Sequence, residues 1–350
     1  MADSIASFVE IDGNPKPQGL AGGLFKLRDG KRLRYAIARP LRPTRGTVLL
    51  LQGRNEAIEK YFETIADLTT RGFTVAIFDW RGQGGSDRHL RNSAKGHIDR
   101  IETYVRDLEE FVEAVLAPQC RAPYVVLAHS LGGLVALAAI PRLINRIERI
   151  VLSAPLIGLP GTVPGTGFLP FVTTIMRWTG LGRFPLRRVE RTGAGWTLGK
   201  NPLTSDERRF DRNRRLVEAA PKFFVRSLTA AWLDACFREM RRLDDSDVVA
   251  TLHLPTLFVT AGADRVVASN ASERLAWRMR SGHFLSIPGA RHELLQEADE
   301  FRELFLAAFE GFVGSVMPVA VDAPLPAAIE RELASMEAEI AGEELASAPA

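Results

Sequence analysis

Apolar residues in this chain follow two patterns, and the two alternate. Residues 46–53 enclose Thr-Val-Leu-Leu-Leu-Gln, an apolar run of strand length without a polar face. Such a strand must be covered on both sides, as a central parallel strand is. Residues 73–79 and 148–156 are further runs of the same kind. Elsewhere apolar residues recur every three or four positions, which predicts helices over 58–71, closed by Gly72, and over 98–116. In the second, Ile101, Tyr104, Val105, Leu108, Phe111, Val112 and Val115 share one face. Ahead of these, residues 25–43 read as a hairpin about an Asp-Gly turn. From 157 to 250 the alternation gives way to helices and loops. It returns with a strand over 255–260, a helix over 271–279, a strand over 284–287 and a helix over 297–312. Strands alternating with helices predict an α/β fold, a mostly parallel central sheet flanked by helices. The expected division is a loose lead-in over 1–22, a core over 23–156 and 251–313, a helical cap over 157–250 inserted after the sixth strand, and a tail over 314–350.

The stretch 124–140 reads Tyr-Val-Val-Leu-Ala-His-Ser-Leu-Gly-Gly-Leu-Val-Ala-Leu-Ala-Ala-Ile. Its first half is a short buried strand and its second half a buried helix, with Ser130 at the corner. A strand that turns sharply into a helix lifts the corner residue above the sheet edge and needs small neighbours. Ala128, Gly132 and Gly133 supply them. This is the G-x-S-x-G nucleophile elbow with Ala in the first glycine position. The backbone N–H of Leu131, at the helix start, then points at an oxyanion formed on a carbonyl attacked by Ser130. The plainer reading is an ordinary strand–helix junction with Ser130 as its N-cap.

A base and an acid in the right chain order decide between the two. In parallel sheets chemistry gathers beyond the carboxyl ends of the strands, so both should lie on loops that follow strands. Of six histidines, His292 stands in such a loop, in Pro-Gly-Ala-Arg-His-Glu before the last helix. His129 is expected to pack beside the elbow, and His89, His97, His253 and His283 to lie at the surface or at boundaries. Asp264 follows the 255–260 strand, where its carboxylate can accept the Nδ1–H of His292. Asp79 also ends a strand and reads as a structural acid near Arg81. The order Ser130, Asp264, His292 is that of the α/β-hydrolases. A second oxyanion donor is expected from the Gln52-Gly-Arg-Asn loop, at the backbone N–H of Arg54. Each such donor lowers the barrier by about 3 kcal/mol.

Composition narrows the class. Two cysteines, Cys120 and Cys236, indicate neither a disulfide framework nor a cysteine metal site. No metal and no cofactor is called for, and the Gly-rich loop 80–87 lacks the phosphate-binding arrangement. No run of about 18 apolar residues occurs. The N-terminus lacks a basic region and a long apolar core, so the cytoplasm is the expected compartment. From 177 to 226 there are thirteen Lys and Arg against five Asp and Glu. That excess suits a lipid head group or an acidic membrane surface, unless nearby acids pair it. No nucleic-acid motif accompanies it. Residues 321–350 carry seven acidic residues and one basic, and read as a disordered tail, with room for a helix over 326–345.

Four stretches then carry a resemblance: Asn-Glu-Ala-Ile-Glu-Lys-Tyr-Phe-Glu at 55–63, Asp-Trp-Arg-Gly-Gln-Gly-Gly-Ser-Asp at 79–87, Ala-His-Ser-Leu-Gly-Gly at 128–133 and Asn-Pro-Leu-Thr-Ser-Asp at 201–206. Together they resemble the lysophospholipase L2 and monoacylglycerol lipase branch of the α/β-hydrolases, over about 25–313. The chain departs from that pattern with Gln52-Gly53 before the oxyanion residue and Ala128 at the elbow. The resemblance implies a serine ester hydrolase of lipids with one acyl chain, a lipid ester as partner, and contact with the inner face of a membrane as an open expectation. It sets the catalytic roles on Ser130, Asp264 and His292 and the oxyanion amides on Arg54 and Leu131. The apolar stretch 167–178 is too short to span a bilayer. It is expected to line an acyl groove or dip into a membrane surface, or else to pack within the cap. Phe168, Phe171, Trp178, Trp232 and Phe237 are the expected acyl-chain contacts. The alternatives are a carboxylesterase or acyltransferase on other esters, and a non-catalytic lipid-binding protein on the same fold.

Overall fold

The computed structural model describes residues 6–161, 163, 166–188 and 201–317. In chain order the strands are β1 (Leu20–Lys26), β2 (Arg32–Ala38), β3 (Thr47–Leu51), β4 (Thr74–Phe78), β5 (Lys95–Gly96), β6 (Tyr124–His129), β7 (Arg149–Ser153), β8 (Pro185–Arg188), β9 (Ser227–Thr229), β10 (Thr256–Ala261) and β11 (Gly282–Ile287). The helices are α1 (Phe62–Thr70), α2 (Ile101–Phe111), α3 (Ala117–Gln119), α4 (Leu131–Leu143), α5 (Phe168–Trp178), α6 (Glu207–Ala219), α7 (Ala230–Asp244), α8 (Ser246–Val249), α9 (Ser269–Arg278) and α10 (Asp299–Val313). Eight strands form one sheet in the order β1-β2-β4-β3-β6-β7-β10-β11. Strand β2 runs antiparallel to both its neighbours, and every other pairing is parallel.

The solid apolar runs serve both faces of this sheet. In β3, Leu49 and Leu51 join one core and Val48 and Leu50 the other. Strand β6 divides the same way, with Val126 and Ala128 opposite Val125 and Leu127. One core takes its helical cover from α2, α4, α7 and α9, and the other from α1 and α10.

Several boundaries shift from the sequence expectation. The hairpin opens at Leu20, with Leu27 N donating to Lys31 O across its turn. The helix expected over 98–116 begins at Ile101, runs through a π-helical stretch, Val112–Leu116, and ends in α3. The lead-in is anchored where it is described: Phe8 packs edge-on against Phe62, and the buried Asn14 side chain donates to Glu59 O. The acidic stretch from 318, with the helix expected over 326–345, lies outside the described residues.

Between β7, the sixth strand of the main sheet, and β10 the chain leaves the sheet. It forms α5 to α8, and its β8 and β9 join the earlier β5 in a small sheet of order β5-β9-β8. The arginines of this region do not make an open basic face on α6. Arg209 reaches Glu63, Asp206 and Asp299, Arg212 reaches Glu63, and Arg214 and Arg215 reach Asp211. Arg177 pairs with Asp234. Arg209 and Arg212 are buried, and a buried charge of this kind persists only when paired.

Candidate active site

The elbow is held in a conformation few residues adopt. Ser130 has φ 49° and ψ −111°, which turns its side chain away from the path from β6 into α4. A Cβ on Gly132 would sit 2.4 Å from Leu51 O and 2.8 Å from Gln52 O. The start of α4 therefore lies against the end of β3 at a distance only glycine permits. A Cβ on Gly133 would meet Pro155 Cβ at 2.6 Å. Leu131 N is the first amide of α4 and has no acceptor within the helix.

His292 arrives from the loop after β11 and Asp264 from the loop after β10. His292 Nε2 lies 3.2 Å from Ser130 Oγ, and its Nδ1 lies 2.8 Å from Asp264 Oδ2. Asp264 Oδ1 accepts from Val266 N at 2.7 Å and Val267 N at 3.0 Å, which fixes the carboxylate plane. With Asp264 as acceptor, Nδ1 carries the proton and Nε2 faces the hydroxyl as a base. The three side chains, more than a hundred residues apart along the chain in the case of the first two, meet at one sheet edge, all buried from bulk water.

The residues flanking His292 are fastened on both sides. Arg291 N donates to Glu297 Oε1, and its guanidinium to Asn201 O and Thr204 O. Glu293 N donates to Leu203 O at 2.8 Å. The Asn-Pro-Leu-Thr segment thus grips the loop that carries the base.

Across the site, the turn bearing Arg54 is fixed by groups the sequence did not single out. Gly53 N donates to Glu56 Oε2 at 2.5 Å, and Asn55 N to Gln83 Oε1 at 2.9 Å. Gln83 Nε2 donates to Gly53 O, and Trp80 Nε1 to Gln52 O. Asn55, itself at φ 61°, accepts from Val225 N at 2.6 Å. The loop after β4 therefore wraps the turn after β3. Asp79 closes this arrangement with a different partner from the one expected. It pairs with Arg34 at 2.7 Å, and Gln52 Nε2 donates to it at 2.9 Å, while Arg81 pairs with Asp107 and Asp29. A Cβ on Gly84 would meet Asp79 Cγ at 2.1 Å, so the loop can fold over the carboxylate only with glycine there.

Beneath the site lies a buried charge cluster. Lys60 Nζ lies 2.6 Å from Glu56 Oε1 and 2.6 Å from Glu293 Oε1. Glu56 Oε2 also accepts from Tyr61 OH at 2.6 Å. Burial alone would raise the Glu56 carboxyl, yet the Lys60 ammonium and the hydrogen bonds hold it below the usual carboxylate range. Lys60 is raised, its two carboxylates outweighing the cost of burial. His129 packs beside His292, with ring centroids 4.9 Å apart, and burial pushes its pKa down to about 4. Its Nδ1 lies 3.1 Å from Ser153 O, so it serves the scaffold of the elbow.

The expected acyl-chain contacts divide. Phe168, Phe171 and Trp178 stand on the exposed face of α5, with Trp178 80% exposed. Trp232 and Phe237 are buried in the core beneath α7. His97, expected at a boundary, is buried against Thr229.

Known proteins resemble this chain in sequence and in fold. The family model described as "Serine aminopeptidase, S33" matches residues 42–299. Lysophospholipase L2 of Escherichia coli (strain K12) is 32% identical over 276 residues, 76% of this chain and 79% of that protein. A probable lysophospholipase L2 of Haemophilus influenzae is 29% identical over 279 residues, 79% of this chain and 86% of that protein. Among solved structures, a soluble variant of monoglyceride lipase from Saccharomyces cerevisiae, in complex with a substrate analog, is similar with a TM-score of 0.69. It is 20% identical and covers 89% of this chain and 99% of that chain, a likeness of fold. By its matched length, its sheet order and its identity to these relatives, the chain belongs to the serine aminopeptidase S33 family of α/β-hydrolases, in the branch that includes lysophospholipase L2.

Proposed function

We propose that this protein hydrolyses the ester of monoacyl lipids, as a lysophospholipase working through an acyl-enzyme on Ser130. The observation that carries the reading is the pair of contacts at His292, 3.2 Å to Ser130 Oγ and 2.8 Å to Asp264 Oδ2. In this mechanism Nε2 takes the hydroxyl proton as Ser130 Oγ attacks the ester carbonyl. The carbonyl oxygen becomes negative and is held by the amides of Arg54 and Leu131. The same imidazole then protonates the departing alcohol, and a water activated by it releases the fatty acid.

The segment 157–250 serves in this reading as a lid over the hydroxyl. Phe168, Phe171, Ile175 and Trp178 recur at steps of three and four along α5, so they form one exposed apolar stripe. A stripe of aromatic residues on an exposed helix suits peripheral contact with a lipid surface, from which a single acyl chain would enter toward Trp232 and Phe237. Among the described residues no helix is long and apolar enough to cross a membrane.

The test is a substrate panel on purified protein: a lysophospholipid, a monoacylglycerol, C4 and C16 esters, and an aminoacyl anilide. The expected result is turnover of the lysophospholipid, a C16 ester hydrolysed faster than a C4 ester, and loss of at least about 10⁴-fold in Ser130→Ala with the fold intact. Lysophospholipid turnover retained in Ser130→Ala would refute the mechanism. Turnover confined to C4 esters would make the protein a short-chain carboxylesterase instead.

A further inference from the structure

The loop between β4 and α2 carries a group of side chains that the hydrolytic site does not use. His97 Nε2 lies 3.5 Å from Asp99 Oδ1, and His89 Nε2 lies 3.9 Å from Asp99 Oδ2. The two imidazole rings have centroids 5.2 Å apart, and one candidate ligand atom from each residue lies within 4.8 Å of the others. We propose that His89, His97 and Asp99 bind a divalent transition-metal cation, Zn2+ by the chemistry of the set, and that the metal fastens this loop to the start of α7.

The position of one proton sets the chemistry of this group. Thr229, the N-cap of α7, accepts from Trp232 N. Its hydroxyl has one hydrogen, and Thr229 Oγ1 lies 3.1 Å from Gly96 O and 3.0 Å from His97 Nδ1. We assign that hydrogen to Gly96 O, in the β5–β9 pair, to which the hydroxyl donates. His97 Nδ1 must then be the N–H, donating to Thr229, and Nε2 of the neutral ring carries a lone pair. That lone pair faces a carboxylate oxygen. The ring is 1% exposed, and among the described residues Nε2 has no hydrogen-bond partner. Two acceptors face each other, the imidazole dry and the carboxylate open to solvent, and a cation between them would satisfy both.

Neutral imidazole is the form a metal binds. The geometry also suits a metal. With Zn–N near 2.0–2.1 Å, the edges of a tetrahedron are about 3.3 Å; His97 Nε2 stands 3.5 Å from one Asp99 oxygen and His89 Nε2 3.9 Å from the other, and one candidate atom from each residue lies within 4.8 Å of the rest. The Asp99 side chain is 62% exposed, free to close the remaining gap and to leave a fourth position to water. Arg238 of α7 donates to Asp99 O at 2.7 Å, so the backbone is already set. The His97–Thr229 contact is the outer partner that fixes ring and tautomer in metal sites. The buried trio Glu56, His129 and Glu293 offers a similar set of atoms. There Lys60 Nζ already bridges the two carboxylates, so no room for a cation is left.

The experiment uses the full chain, prepared without a polyhistidine tag and stripped with chelator. Zn2+ should bind one per chain by calorimetry and elemental mass spectrometry and raise Tm. Co2+ should give the visible ligand-field bands of a tetrahedral site. His89→Gln and Asp99→Asn, both on the accessible side, should each remove the Co2+ bands. Thr229→Val should raise Kd about 10–100-fold while leaving stoichiometry at one. The proposal fails if no Zn2+ is taken up at stoichiometric concentration. It also fails if uptake survives unchanged in the His89→Gln/Asp99→Asn double variant, or if nitrogen NMR finds His97 Nε2 protonated at neutral pH whether or not Zn2+ is added.

Discussion

Replacing Lys60 by Met tests how the site is held together. Lys60 Nζ sits between the carboxylates of Glu56 and Glu293, 2.6 Å from each, and is nearly buried. Glu56 holds the Gly53 amide next to Arg54, and Glu293 adjoins His292. One ammonium thus joins the oxyanion turn to the loop of the base. Met fills much of the same volume but leaves two carboxylates in a dry site without a counter-charge. Removing one partner of a buried ion pair costs about 3–5 kcal/mol, and here two pairs share the partner, so the upper end is expected. The carboxylates will relieve part of this by taking up protons, so the variant should gain stability as pH falls from 7 toward 5, opposite to the parent. The catalytic loss should be about 10²-fold in kcat, from an oxyanion amide moved off its mark. Denaturant unfolding at two pH values and kcat on a C16 ester measure both. The triple variant Lys60→Met/Glu56→Gln/Glu293→Gln removes the stranded charges and should recover most of the stability but not the rate. A Lys60→Met protein within about 1 kcal/mol of the parent, with unchanged kcat, would refute the reasoning.

Three further outcomes follow from the same geometry. Gly132→Ala should cost about 1–3 kcal/mol and about 10²-fold in kcat, because its methyl would meet Leu51 O and Gln52 O, two backbone atoms that cannot rotate aside; denaturation and ester kinetics check it. His129, with its folded pKa pushed down to about 4, should make stability fall with acid. The unfolded residue binds a proton near 6.5, so stability is full above that pH and declines as pH falls toward 4, by on the order of 3 kcal/mol, and His129→Gln should flatten that limb of the unfolding profile. Phe168→Ser/Trp178→Ser should weaken sedimentation with phospholipid vesicles about tenfold or more while leaving hydrolysis of a water-soluble C4 ester unchanged, and unchanged vesicle binding would remove α5 as the contact.

How much of this was legible from the chain depends on the range of the interaction. The strands at 47–51, 74–78 and 124–129 announced themselves because both faces are buried, so their apolar runs are unbroken. Ser130, Asp264 and His292 could be read because each follows a strand, and strand ends in a parallel sheet converge on one edge. What failed was partner choice across long separations. Asp79 was matched with its sequence neighbour Arg81, yet β2 lies beside β4 and brings Arg34 to it. Lys60 and Glu56 stand four apart, and nothing local says that Glu293 closes over them. Of the two readings of the α6 arginines, pairing with nearby acids holds for Asp206, while Glu63 and Asp299 come from α1 and the start of α10, far along the chain. The π-helical stretch at 112–116 left no mark in the hydrophobic period, since the extra residue shifts the register only at its end.

Covalent labelling tests most directly whether Ser130 is the nucleophile for a single-chain lipid ester. A phosphonate carrying one long acyl chain, added to the folded protein, should form one covalent adduct by intact mass. Peptide mapping should place that adduct on Ser130, and a His292→Ala variant should label at least about 100-fold more slowly. A folded protein that takes up no phosphonate, or takes it up on another residue, would contradict the account.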